Sequence, residues 1–244
     1  VNGEIYNHME LRSQLREPHD WQTHSDCEVL LYLYDEYGPD FVKLLNGIFA
    51  FVLYDPNTRE YMVARDHMGI IPLYMGWDKT NSFHVASEMK ALTDTCTRIE
   101  IFEPGHYLVG STGEKVRYYD PLWAHEMPTK PLVLDELRDS FEKAVHRQLM
   151  CDVPYGLLIS GGVDSSLVAA VAAKFSERRV EERDLKPAWW PRMHSFSIGL
   201  EGSPDTAYAR KVAEYIGTVH HEIRFTLQEG LDAVSDVIYH LETF

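Results

Sequence analysis

The 244-residue chain predicts two folds in series. The first is an α+β layer of stacked antiparallel sheets over residues 1–120, and the second an α/β doubly wound parallel sheet over residues 135–244. Three observations carry this reading. Short apolar runs follow one another closely in the first half, with a single helical pattern among them. Pro121, Pro128 and Pro131 then break any periodicity, which makes 121–134 the linker. Beyond it, strand and helix patterns alternate, as a parallel sheet requires.

Taken in order, Asn2-Gly3 is a strong turn signal. Residues 27–37 repeat Val29, Leu30, Leu33, Tyr34 and Tyr37 at helical spacing, and Gly38-Pro39 ends the helix. Ser25 and Asp26 stand at its start, Asp26 as an N-cap or first-turn carboxylate. Cys27 beside it reads as a small packing residue. Residues 48–55 are apolar on both faces of a strand and are therefore expected to be central and covered on each side. Asp55-Pro56-Asn57 turns the chain into a partner strand over 60–65. Further strands are expected over 70–74, 83–86 and 105–109. Arg65-Asp66 and Glu88-Lys90 read as surface or domain-contact charges.

In the second half, Asp135 is placed to cap a helix carrying Leu137, Phe141, Val145 and Leu149. Residues 155–159 form a strand, and from Leu167 onward the pattern is helical, with Val163, Leu167, Val168, Val171 and Phe175 facing a sheet. The segment between, Ser160-Gly161-Gly162-Val163-Asp164-Ser165-Ser166, is a strand-to-helix turn. The first amides of a helix lack intrahelical partners and lie at the positive end of its dipole, so such a turn attracts anions. Gly161 and Gly162 let backbone approach a phosphate, and Ser160, Ser165 and Ser166 offer hydroxyls. No lysine follows to reach a γ-phosphate, which sets this turn apart from the kinase and GTPase phosphate loop. A charged excursion runs from Ser176 to Met193 and ends in Trp189-Trp190, read as local packing. Strands at 194–200 and 219–225 alternate with a helix that opens at Ser203-Pro204 and one capped by Thr226-Leu227-Gln228-Glu229. Adjacent His220 and His221 point to opposite faces of a strand, one packed and one exposed, and make no metal site.

A formal charge of −15 argues against a nucleic-acid surface and leaves an anion site as a local positive island, completed by Mg2+. The three scattered cysteines, Cys27, Cys96 and Cys151, indicate a reducing compartment and no disulfide framework. No apolar run has the length of a membrane span and no signal peptide opens the chain, so the expectation is the cytosol with no membrane partner.

The Ser-Gly-Gly-x-Asp-Ser-Ser pattern resembles the pyrophosphate loop of ATP pyrophosphatases. Asn2-Gly3-Glu4-Ile5-Tyr6-Asn7 resembles a glutamine-binding motif of class II glutaminase domains, which have an N-terminal nucleophile. Arg65-Asp66-His67-Met68-Gly69 and Ala86-Ser87-Glu88-Met89-Lys90 are similar to further markers of that domain. Together the halves resemble the glutamine-hydrolysing asparagine synthetases. The resemblance implies that Asn2 and Gly3 form the oxyanion hole and that Glu4 and Asp26 hold the ammonium group of glutamine. It also implies that Ser160, Gly161, Gly162, Ser165 and Ser166 cradle the pyrophosphate of ATP, that Asp164 orients the loop or contacts Mg2+, and that Leu158 and Ile198 face the adenosine. The implied substrates are glutamine, aspartate and ATP, and a homodimer of the full-length parent is left open.

The family nucleophile is an N-terminal Cys, whereas this chain opens with Val1. The polypeptide is therefore expected to be an internal fragment, inactive alone. A β-lactam synthetase-like amide ligase and a non-catalytic nucleotide-binding relative are the alternatives.

Overall fold

In the computed structural model, residues 1–127, 129–180, 186–189 and 192–242 are described. The chain divides into two units, Val1–Thr129 and Lys130–Phe244. The linker residue Pro128, residues 181–185 of the charged excursion, and Trp190 and Pro191 fall outside the described residues.

The first unit is built on β2 (Gly47–Asp55) and β3 (Glu60–Arg65), whose continuous apolar stretches fit strands covered on both faces. They lie inside a five-stranded antiparallel sheet of order β1-β2-β3-β7-β8, completed by β1 (Asn2–Ile5), β7 (His106–Val109) and β8 (Lys115–Arg117). Phe49, Phe51 and Met62 face one way, into a core shared with Leu11 of α1 (His8–Gln14) and with Val29 and Leu33 of α2 (Val29–Tyr37). Ala50, Val63 and Leu108 face the other way, onto Met75 of a second antiparallel sheet. That sheet has the order β5-β4-β6, with β4 (Tyr74–Trp77), β5 (Phe83–Ala86) and β6 (Arg98–Ile101); α3 (Lys90–Thr93) follows β5. The sheets are thus stacked. The double covering expected of 48–55 stops at Phe51, since Val52 and Tyr54 are more than half exposed.

Several expectations are corrected here. The helix expected over 27–37 begins as a tight turn at Asp26–Glu28, capped by the Ser25 hydroxyl on the Cys27 amide; Gly38, at φ +62, ends it. Residues 70–73 form no strand. Buried Arg65 and Asp66, expected as surface or domain-contact charges, hold this stretch as a loop instead. The Asp66 carboxylate accepts the N–H groups of Phe49, Met68, Ile70 and Ile71 at 3.0–3.2 Å. The Arg65 guanidinium donates to the carbonyls of Ile71, Phe102 and Gly69 at 2.7–2.9 Å. These are buried charges satisfied by backbone, the condition on which burial is tolerated. Glu88 and Lys90, by contrast, form an ion pair at 2.9 Å with Glu88 largely exposed.

In the second unit, β9 (Gly156–Leu158), β10 (His194–Leu200) and β11 (Val219–Phe225) form a parallel sheet of order β11-β10-β9. Helices α5 (Val163–Phe175) and α6 (Pro204–Ile216) touch each other and the strands, through Ala169, Ala209 and Ile159. Neighbouring strands are consecutive in sequence and carry no reversal, so right-handed crossovers place both helices on one face. The doubly wound arrangement, which needs a reversal of strand order, is not reached in the described residues. On the opposite face Leu158, Ile198 and Ile223 are exposed.

Three helix details also differ. Asp135 does not cap α4 (Leu134–Arg147): the N-cap is Val133, and Asp135 pairs with Arg138 at 3.2 Å. Leu137 on that helix is 56% exposed. Helix α5 begins at Val163, four residues earlier than expected, and buries Ala169 and Ala172 while Val163, Leu167 and Val168 are exposed. Small residues on this face let helix and sheet approach closely. The Thr226 capping box does open α7 (Leu227–Leu241). In the excursion, Arg179 lies 4.1 Å over the Trp189 ring.

Candidate functional site

The first unit gathers Asn2, Gly3, Glu4 and Asp26 around the free edge of β1. Because β1 is an outer strand, half of its backbone groups face away from the sheet. The Ile5 N–H is one of them and donates to Asp26 Oδ2 at 2.6 Å, tying the Ser25-Asp26 segment to the strand. By the two-residue alternation of a strand, the Gly3 N–H shares that outward side. Phe49, the register partner of Gly3, directs its own N–H and C=O to Asp66. Gly3 itself has φ +126, and an added Cβ would fall within 2.0 Å of the Ile48 carbonyl oxygen, so only glycine fits there.

Side chains of Asn2 and Glu4 project from the face opposite Ile5, whose side chain is fully buried. The Asn2 carboxamide donates to the Ser87 hydroxyl at 3.1 Å. A carboxamide carries two N–H donors, so one remains for another acceptor. The electrostatics are anionic: burial first, then the carboxylates of Glu4, Asp66 and Asp26, push the Tyr6 hydroxyl above its ordinary pKa. A cationic guest group is favoured beside them. Cys27 is no nucleophile in this setting, because burial and the Asp26 carboxylate push its thiol up to about 12.

The second unit places the Ser160 turn at the carboxyl end of β9 and the amino end of α5. The N-cap is Gly162, which has no side chain, so the first-turn amides of α5 receive no side-chain cap. The hydroxyls bond within the loop: Ser160 Oγ and Ser165 Oγ lie 2.8 Å apart, and Ser166 Oγ donates to the Gly162 carbonyl at 2.6 Å. The two glycines, given one role from sequence, differ. Gly161 has φ +83, and a Cβ there would meet the Ala209 amide nitrogen of α6 at 2.6 Å; its face is filled by packing. A Cβ on Gly162 would meet only Ser160 Oγ, at 3.5 Å, and its face is open.

Beside this loop lies a hollow of about 290 Å³, lined by Leu158, Ile159, Ser160, Ser165, Phe196, Ser197, Ile198 and Ile223. Leu158 is 84% and Ile198 67% exposed, so both aliphatic side chains are open along this hollow. Asp164 is exposed in the first turn of α5 and does not line this hollow. Phe196 and Ile223 were not singled out from sequence, although two-residue alternation and parallel register put them on the same face as Leu158 and Ile198. His220 lies between the Ser195 and Ser197 hydroxyls at 2.8 and 3.0 Å, while exposed His221 stacks on Phe196. Among the described residues no group of three or more His, Cys, Asp or Glu side chains is arranged to hold a metal ion, and no helix is long and apolar enough to cross a membrane.

Comparison with known proteins gives two family matches: a glutamine amidotransferase domain over residues 1–115 and asparagine synthase over residues 136–244. The whole chain is 53% identical to asparagine synthetase B, glutamine-hydrolysing, of Escherichia coli and covers 44% of it. It is 50% identical to a probable glutamine-hydrolysing asparagine synthetase of Dictyostelium discoideum and 52% identical to that of Zea mays, again over its whole length, covering 45% and 41% of them. The chain thus spans less than half the length of these curated relatives. Among solved structures, the glutamine phosphoribosylpyrophosphate amidotransferase of B. subtilis, complexed with ADP and GMP, is similar at a TM-score of 0.42 and 20% identity, over 91% of this chain and 60% of that one.

Proposed function

Because the chain belongs to the family of glutamine-hydrolysing asparagine synthetases, we propose that it supplies the glutamine-binding edge and the ATP-binding corner of a cytosolic ligase. This enzyme makes asparagine from aspartate and ATP, takes ammonia from glutamine, and releases AMP and pyrophosphate. Its partners are these small molecules.

At the first site the Gly3 N–H and the second N–H of the Asn2 carboxamide donate to the oxyanion that develops on the glutamine side chain. A donor so placed contributes on the order of 3 kcal/mol to transition-state stabilisation. Glu4 and Asp26 hold the ammonium group of glutamine, in keeping with the carboxylate field around Tyr6. The nucleophilic Cys that the family implies is none of Cys27, Cys96 and Cys151.

The second unit acts as an ATP-pyrophosphatase-type domain. Gly162 and the uncapped amides of α5 receive the pyrophosphate, with the hydroxyls of Ser160, Ser165 and Ser166 turning from their bonds within the loop to the phosphate oxygens. Gly161 holds the loop against α6. Leu158 and Ile198 cover the adenosine in the hollow. Asp164 is the carboxylate on this loop, and one carboxylate with phosphate oxygens suits Mg2+, which when bound neutralises phosphate charge. Aspartate is activated here as its β-aspartyl-adenylate, and ammonia displaces AMP from it.

The observation that carries the reading is the hollow itself, apolar along the sheet and bordered by the serine-rich loop. The test is aspartate-dependent exchange of labelled pyrophosphate into ATP, in an enzyme of the relatives' length that carries these residues. Exchange that requires aspartate is expected. Exchange without aspartate, or none with it, would refute asparagine synthesis.

A further inference from the structure

Among the described residues, two buried side-chain polar atoms have no hydrogen-bond partner, His8 Nδ1 and Arg12 Nε. They lie one turn apart on α1, a spacing that puts both on one face of the helix. Arg12 Nη2 donates to the Ser25 carbonyl at 2.7 Å, and its guanidinium lies 4.0 Å over the Trp21 ring. Ser25 immediately precedes Asp26, so this face of α1 holds the segment that delivers Asp26 to the edge of β1.

Two other links fix the segment. Glu28 accepts the Gln22 and Thr23 amides at 2.7 and 2.8 Å, and Asp26 accepts the Ile5 amide at 2.6 Å. Neither ties the segment to α1. The Arg12 guanidinium provides that tie through the Nη2 bond to the Ser25 carbonyl, lying over Trp21 with its buried Nε–H unpaired. A guanidinium makes such a planar, two-sided contact, whereas an ammonium does not.

We propose that Arg12 is a positioning residue for glutamine: through Ser25 it sets the Asp26 carboxylate at the distance from β1 at which that carboxylate meets the substrate's α-ammonium group. This rests on the role given above to Asp26. Arg12 touches no substrate; it acts by fixing where the negative charge stands.

The test compares glutamine with its analogue lacking the α-amino group, 4-carbamoylbutanoate, by kcat/KM for ammonia release in an enzyme of the relatives' length. Arg12→Met should lower the preference for glutamine over the analogue about tenfold, chiefly through KM for glutamine. Arg12→Lys should recover part of it, since charge returns without the fork. Asp26→Asn should lower the preference at least as much, and adding Arg12→Met to it should lower it little further, because both act on one contact. An Arg12→Met enzyme whose preference equals that of the parent, while Asp26→Asn has lost it, overturns the proposal and leaves the glutamine site standing. An Asp26→Asn enzyme with full preference overturns the site assignment instead. Should Arg12→Met fail to fold, Arg12→Lys decides: a preference equal to the parent's overturns the positioning role, and an intermediate one supports it.

Discussion

Replacing Asp66 by Ala removes the acceptor for four backbone amides at once. An amide bonded to a charged acceptor is worth about 1.5 kcal/mol or more, so the four together would reach at least about 6 kcal/mol if all stayed dry. Two of the four lie in residues open to water, Met68 at 65% and Ile70 at 56% exposure, and hydrate again when the carboxylate is gone. Phe49 is 1% exposed and Ile71 half-buried, so water reaches their amides less readily. The expected cost is therefore about 3 kcal/mol, roughly two decades in the opening equilibrium of this sheet. Asp66→Asn should lose about half as much, because its NH2 group confronts the donors that one oxygen formerly accepted. Hydrogen exchange of the Phe49 and Ile71 amides reads the effect residue by residue, which suits a chain of two units better than a single unfolding curve. Protection within threefold of the parent in Asp66→Ala would refute the view that this carboxylate holds the loop.

Other outcomes follow from the same structure. Gly161→Ala should destabilise the second unit by about 2 kcal/mol through its left-handed φ and the Ala209 contact, lowering its melting temperature; Gly162→Ala should leave the melting temperature unchanged and weaken ATP binding, measured by calorimetry. Cys27, with its thiol raised to about 12, should react with iodoacetamide at pH 8 more slowly than Cys96 and Cys151, as followed by mass spectrometry. The His8 pKa is lowered by burial and then by Arg12, so the unfolded chain takes up the proton first as pH falls below the ordinary 6.5. Stability of the first unit should be full above that pH and decline below it; His8→Gln should flatten the decline, read as the denaturation midpoint at pH 7.5 against pH 5.0.

Where the sequence was legible, a local pattern decided the structure. Residues 194–200 and 219–225 alternate and became β10 and β11; Ser203-Pro204 opened α6, and the Thr226 box opened α7. The serine-glycine turn announced itself because glycine and hydroxyl residues interrupt a strand-to-helix passage. What stayed hidden depended on distant partners. Arg65 and Asp66 look like surface charges until the carbonyls and amides they serve, from Phe49 to Phe102, are brought around them. The seven residues of α1 are too few to show a period, and β6 and β8 alternate too briefly to stand out. Gly161 and Gly162 are indistinguishable in sequence because only the approach of α6 separates their roles.

The outer rim of β1 has a cost as well as a use. An outer strand whose outward amides lack strand partners can accept another extended chain. Asp26 closes one of those amides with a charge that no incoming strand can match. The carboxylate, bonded to the Ile5 amide at 2.6 Å, thus stands where the carbonyl of an added strand would have to sit.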